Sequence, residues 1–276
     1  MTANPVFHLE DVSFNYSGGR PALNQINLSL ARAEKLVILG PNGCGKSTLL
    51  KIFDGLLFPT SGSFTAFGQT VTEEVLEKGE FAADFRRWVA FVFQDSDIQL
   101  FSSTVLEEVS FGPLQLDIAP NAAVARAEEI LKMLDLIHLK DSQPHQLSGG
   151  EKKKVALASS LATGPEILLA DEPTNNLDPR SKSWLVDLLN QLGEAGKTIV
   201  LATQDLEVAA QFATRAVILD QDHKIVADGS PADLLADKEL LEKVNLIHEH
   251  WHEHGDKSHQ HEHTHRDEHD HDHTRE

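Results

Sequence analysis

Nine consecutive residues, Gly40-Pro41-Asn42-Gly43-Cys44-Gly45-Lys46-Ser47-Thr48, have the types and spacing to hold phosphate. They match G-x-x-x-x-G-K-[ST], in which glycines let backbone N–H groups converge on anionic oxygens. An apolar strand pattern, Lys35–Leu39, precedes them and a helical pattern follows Lys46, so a helix N-terminus adds partial positive charge. In this arrangement Lys46 reaches the β- and γ-phosphates and the Ser47 hydroxyl holds Mg²⁺. A Gly-rich turn without a ligand is the bland alternative, and the agreement of strand, loop and helix speaks against it. Cys44 stands beside Lys46 and the helix N-terminus, which predicts a lowered thiol pKa and ready alkylation until Mg²⁺ and the bound nucleotide cover it.

A second group lies far downstream. Ile167-Leu168-Leu169-Ala170-Asp171-Glu172 is an apolar strand ending in two acids. The C-terminal edge of a parallel strand is where such sheets bind ligands. Asp171 is expected to hold Mg²⁺ through water, and Glu172 to orient and polarise an attacking water.

These groups need a scaffold that brings both strand ends together. Candidate strands are 6–14, 26–30, 35–39, 88–93, 167–170, 198–202, 216–219 and 224–227. Candidate helices are 46–53, 122–136, 149–162, 179–192 and 206–213. Continuously apolar strands such as ILLA and TIVLA indicate a sheet covered by helices on both faces. Strand–helix alternation then predicts an α/β fold with a mostly parallel sheet, and the phosphate loop makes it a P-loop NTPase. Residues 6–30 lack an intervening helix and are expected to pair antiparallel. Residues 121–163 are mostly helical and are expected to form a subdomain.

The 276 residues allow one large domain or two small ones, and 41% apolar with 24% charged residues is ordinary for a globular chain. No apolar run approaches the ~18 residues of a membrane span, and no basic-then-apolar leader opens the chain. One cysteine excludes an intramolecular disulfide framework. A cytosolic protein is expected. The net charge of −19 argues against a nucleic-acid partner, because phosphate backbones need a basic surface.

With these motifs in order, the chain closely resembles an ABC-transporter ATP-binding subunit over residues 5 to about 240. The resemblance rests on the phosphate loop, Gln94 after a strand, Leu147-Ser148-Gly149-Gly150-Glu151, the Asp171-Glu172 pair and Asn176-Leu177-Asp178. It implies that Tyr16 stacks on adenine and that Gln94 contacts Mg²⁺ and the water while sensing a membrane partner. It implies that Ser148, Gly149 and Gly150 contact the ATP of an opposite subunit, and that Asp178 links the two sites. It also implies a head-to-tail ATPase dimer, homo- or heteromeric, at the cytoplasmic face of the membrane, peripheral to transmembrane coupling and substrate-capture subunits. The segments Phe93–Phe101 and Val105–Pro113 look like the energy-coupling-factor importers, and Leu147–Ala158 is similar to their cobalt/nickel branch. One position departs from the family: Thr203-Gln204-Asp205 has Gln where a switch histidine usually stands. Gln204 can donate to a γ-phosphate oxygen but cannot become a cation, which bears on the hydrolysis rate.

The chain divides into an ATP-binding domain, residues 5–246, and a tail, residues 247–276. Eleven of the 15 histidines fall in that tail: His248, His250, His252, His254, His259, His261, His263, His265, His269, His271 and His273. They alternate mostly with acids. Imidazole suits Ni²⁺, Co²⁺, Zn²⁺ and Cu²⁺, and a tail without Cys disfavours Cu(I). Its charge and few apolar residues predict disorder without metal. Ni²⁺ or Co²⁺ on the tail is the expectation, with a solubilising tail or a purification tag as bland alternatives. Three other functions compete with a nickel or cobalt importer subunit: an importer subunit for another solute, a soluble ABC ATPase remodelling nucleic acid or ribosomes, and a metal-storage protein with a degenerate ATPase domain.

Overall fold

Apolar runs without polar alternation become strands that are buried on both faces, and they set the architecture here. The computed structural model describes residues 5–254 and 257–264, with only the backbone course given for 248–254 and 257–264. The first half runs β1 (Phe7–Tyr16), β2 (Arg20–Leu30), β3 (Lys35–Leu39), α1 (Lys46–Phe53), β4 (Ser61–Ala66), β5 (Gln69–Thr70), α2 (Glu73–Glu77), α3 (Glu80–Trp88), β6 (Val89–Val92), α4 (Ser96–Gln99), α5 (Val105–Gln115) and α6 (Pro120–Met133). The second runs α7 (Gly149–Ala162), β7 (Ile167–Asp171), α8 (Pro179–Glu194), β8 (Thr198–Thr203), α9 (Leu206–Phe212), β9 (Arg215–Leu219), β10 (Ile225–Gly229), α10 (Pro231–Ala236) and α11 (Lys238–Lys243). Two strands close the described chain, β11 (Ile247–His254) and β12 (Lys257–Thr264).

The main sheet has the order β10-β9-β3-β8-β7-β6, parallel except for β10 at its edge. Every residue of β7 and β8 is buried. Alternate residues of β3 serve opposite cores, Val37 and Leu39 one, Leu36 and Ile38 the other. The first core takes α5–α9, and the second takes α1 and the antiparallel sheet β2-β1-β4-β5. The antiparallel pairing expected for residues 6–30 is therefore present, and β1 continues two residues past its expected end to Tyr16. The helical region begins earlier than expected, at α5, whose N-cap Thr104 accepts from Glu107 N. Strand β3 and helices α1 and α7 have their expected bounds.

Strands β11 and β12 pair antiparallel as a ribbon apart from both sheets. The expectation of a tail without fixed structure falls partly on residues 255–256 and 265–276, with His265, His269, His271 and His273, which lie outside the described residues. No described helix is long and apolar enough to cross a membrane.

The second core is aromatic where α1 meets the antiparallel sheet. Phe53, fully buried, lies 5.1 Å from Phe7 and 5.9 Å from Phe64, centroid to centroid. Phe53→Ala should destabilise the fold by ~3–5 kcal/mol, since a rigid cluster collapses poorly into the void. A urea titration should show a lower midpoint at unchanged slope.

Candidate functional site

The loop between β3 and α1 can be followed residue by residue. Gly45, the N-cap of α1, has φ +114°, and a Cβ there would lie 2.2 Å from the Ala22 carbonyl oxygen. At Gly40, φ +154°, a Cβ would lie 2.5 Å from the Leu219 carbonyl oxygen. The loop is thus held between β2 and β9 so closely that neither position admits a side chain. Lys46 folds back beneath it. Its Nζ donates to Gly40 O at 2.7 Å and Pro41 O at 3.1 Å, while only 6% of the residue is exposed. The buried ammonium is thereby satisfied.

The two acids arrive from β7. Asp171 is buried, and burial pushes its carboxyl up, against a hydrogen bond with Ser47 and the charge of Lys46. Asp171 Oδ1 is buried without a hydrogen-bond partner among the described residues. A hydroxyl and an unsatisfied carboxylate oxygen form a hard-oxygen donor set that fits Mg²⁺. Glu172 has φ +43° and is also buried. Its N–H donates to Ala202 O at 2.8 Å, its Oε2 accepts from Thr203 Oγ at 3.1 Å, and its Oε1 lies 3.7 Å from Lys46 Nζ. Lys153, from α7, donates to the carbonyls of Glu172 and Asn175 at 3.2 and 3.0 Å.

Tyr16, Asn42, Gly43, Gly45, Lys46, Ser47, Thr48, Gln94 and Glu172 line one cleft of about 420 Å³. The Tyr16 ring is half exposed, edge-on to Phe14, and its hydroxyl is 3.1 Å from Thr48 Oγ. Gln204 follows β8 directly and is half-buried between Thr203 and Asp205. Ser148 caps α7, with Glu151 reciprocating in a capping box. It stands apart from the phosphate loop: Gly149 shares with Gln94 a separate cleft of about 440 Å³ that no loop residue lines. Asp178 caps α8, and its bonds from Ser181 and Arg180 hold its carboxyl low.

Four lining residues carry no signal in the sequence: Arg20, Pro21, Ala22 and His223. His223 Nδ1 sits 3.0 Å from Cys44 O across 179 residues of chain, a separation that leaves no local signal. Cys44 itself corrects an expectation. Its side chain is only 2% exposed, tucked behind the loop, and burial pushes the thiol up, outweighing Lys46.

A family model for the ABC transporter matches residues 23–175, more than half of the chain. The chain belongs to the ABC transporter ATP-binding family. The cassette is 50% identical over 248 residues to a Methanosarcina acetivorans protein provisionally named an ABC transporter ATP-binding protein, covering 89% of this chain and 90% of the relative. It is 42% identical to a nickel import ATP-binding protein of Rhodobacter capsulatus, covering 88% and 96%. Among solved structures it superposes with TM-score 0.74 and 33% identity, over 82% and 98%, on an ATP-binding cassette captured as a post-hydrolysis dimer with ADP and Pi. The fold is that of a P-loop ABC ATPase, and the cassette is an ATPase.

The buried Cys44 should react slowly. With Ellman's reagent at pH 8 its rate should fall at least ~10-fold below that of a free thiol, because thiolate fraction and access are both reduced. Urea above the unfolding midpoint should bring the rate up to the free value. Rapid labelling of the native chain would contradict this burial.

Proposed function

We propose that this ABC importer ATPase subunit powers an energy-coupling-factor transporter for Ni²⁺ or Co²⁺, as a peripheral protein on the cytoplasmic face. The observation that carries the nucleotide chemistry is the convergence of Lys46, Ser47, Asp171, Glu172 and Gln94 at one cleft edge. The nickel or cobalt assignment is supported by the relative named for nickel import and by the eleven tail histidines.

In this reading ATP enters with its adenine on Tyr16 and its phosphates along residues 40–48. Ser47, Asp171 and Gln94 would hold Mg²⁺, which would supply positive charge against the phosphate oxygens. Lys46 turns its ammonium from the loop carbonyls to the β- and γ-phosphates. Glu172 accepts the proton of the attacking water. Its carboxylate is aimed by the Thr203 hydroxyl and its backbone is held by Lys153. Gln204 donates to a γ-phosphate oxygen. Ser148, Gly149 and Gly150 complete the site of a second cassette rather than their own, which suits their separation from this phosphate loop.

A groove of about 640 Å³ is lined by Phe58, Phe85, Phe93, Phe101 and Phe111. Desolvation pushes the carboxyl of Asp54, on the same wall, up toward its neutral form. We assign this groove to a helix of the transmembrane coupling subunit, since an amphipathic helix suits an apolar trough. Phe93 and Gln99 line the groove while Gln94 lines the nucleotide cleft, so one short segment touches both.

Affinity capture from membranes, followed by Ni²⁺ and Co²⁺ uptake with and without the cassette, tests the transport assignment; uptake indifferent to the cassette would remove it. For the chemistry, Glu172→Gln should bind ATP and slow turnover by ~10²–10⁴-fold. Gel filtration with ATP should then show a persistent dimer. Gln204→His should raise turnover about 5- to 30-fold, because a charged donor strengthens the bond to the transferring group by roughly 1–2 kcal/mol. That variant should also lose its advantage above about pH 7, where imidazole is neutral.

A further inference from the structure

The tail histidines are arranged as well as numerous. From His248 to His254 and again from His259 to His265 every second residue is His. A period of two places them on one face of a strand. Between the arms stand Gly255 and Asp256, a two-residue Gly-X spacing of the kind that signals a hairpin.

The register of β11 on β12 turns this alternation into pairs. His248 stands opposite His263, His250 opposite His261, and His252 opposite His259. The intervening positions pair Glu249 with Glu262, Trp251 with Gln260 and Glu253 with Ser258. Six histidines thus occupy three directly opposed positions on one face, and the acids fall on the other. A slip of one residue in either direction would leave no histidine opposite another.

Directly opposed residues of an antiparallel pair have Cβ atoms about 4.5–5.5 Å apart. That spacing lets two imidazoles share one divalent ion, with water completing its shell. An isolated two-stranded ribbon is marginal in water. Ions bound across it therefore favour the paired form, as metal binding generally draws on folding.

We propose that the tail is a metal-stapled ribbon, binding borderline divalent cations such as Ni²⁺ at three cross-strand His–His stations: 248/263, 250/261 and 252/259. This rests on the reading of the tail as a metal binder and adds which histidines act together. It also makes the ribbon a segment whose order follows metal occupancy.

Calorimetric titration of the purified full-length chain with NiCl₂ at pH 8 counts the stations. His250→Ala alone, His261→Ala alone and the two together should each remove one ion, because both residues serve one station. His250→Ala with His259→Ala should remove two. Far-UV circular dichroism should show strand signal gained on Ni²⁺ addition and reduced most in the second double variant. If the two double variants lose equal amounts of Ni²⁺, the histidines bind independently of register; the stapled ribbon is then wrong and a metal-binding tail stands. If the full-length chain binds no more Ni²⁺ than a chain with all eleven tail histidines changed to Ser, both readings fall.

Discussion

Parallel strand pairing is the constraint on which the rest of this molecule depends. Neighbouring parallel strands must be joined by crossovers, so residues adjacent at a sheet edge come from distant parts of the chain. Here Leu39 pairs with Thr203 and Asp171 with Ala202, which puts the ends of β3, β7 and β8 side by side. The phosphate loop leaves one of these ends, the acid pair leaves the second, and Thr203-Gln204 leaves the third. No single segment carries enough chemistry alone. Complete burial of β7 and β8 keeps this edge rigid, so groups of opposite charge stay close without collapsing onto each other.

The segment after β6 belongs to two surfaces at once. Gln99 Oε1 accepts from Phe93 N at 3.2 Å, closing the segment on itself. Its Nε2 donates to Ala156 O at 2.8 Å and lies 3.2 Å from the hydroxyls of Ser159 and Ser160, which ties the segment to α7. The same helix presents Ser148 at its start and Lys153 to the Glu172 backbone. A displacement of Phe93–Gln99 therefore reaches Ser148 and the Glu172 backbone through one rigid element. Coupling between sites is carried by elements of this kind when they are packed firmly enough to move as units.

The scaffold was legible where local and tertiary demands coincide. Lys35–Leu39, Lys46–Phe53 and Gly149–Ala162 follow from apolar pattern, glycine placement and caps, and these three position most of the site. Strand β4 was not found because SGSFTA buries only Phe64 and Ala66 and has little strand character of its own. Helix α5 carries Gly112 and Pro113, which read as breakers, although the Thr104-x-x-Glu107 cap announces its start. The burial of Cys44 is not legible because sequence shows its charged neighbour but not the apolar cluster, with Leu36, Ile38 and Leu219, that it joins. His223 shows the same limit from the other side, since its contact exists only after the sheet has closed.

The Thr203 hydroxyl has one more consequence. It donates to the Glu172 carboxylate at 3.1 Å and accepts from Asp205 N at 3.0 Å, while Asp205 caps α9 and pairs with Lys182 at 2.9 Å. Position 204 is thus clamped on both sides by bonds that do not involve its own side chain. A replacement there alters what is offered to the ligand without shifting the neighbouring acid or the helix behind it. Such a position is insulated: its chemistry can drift over evolutionary time as a rate-setting dial, while the frame around it stays under separate selection for folding.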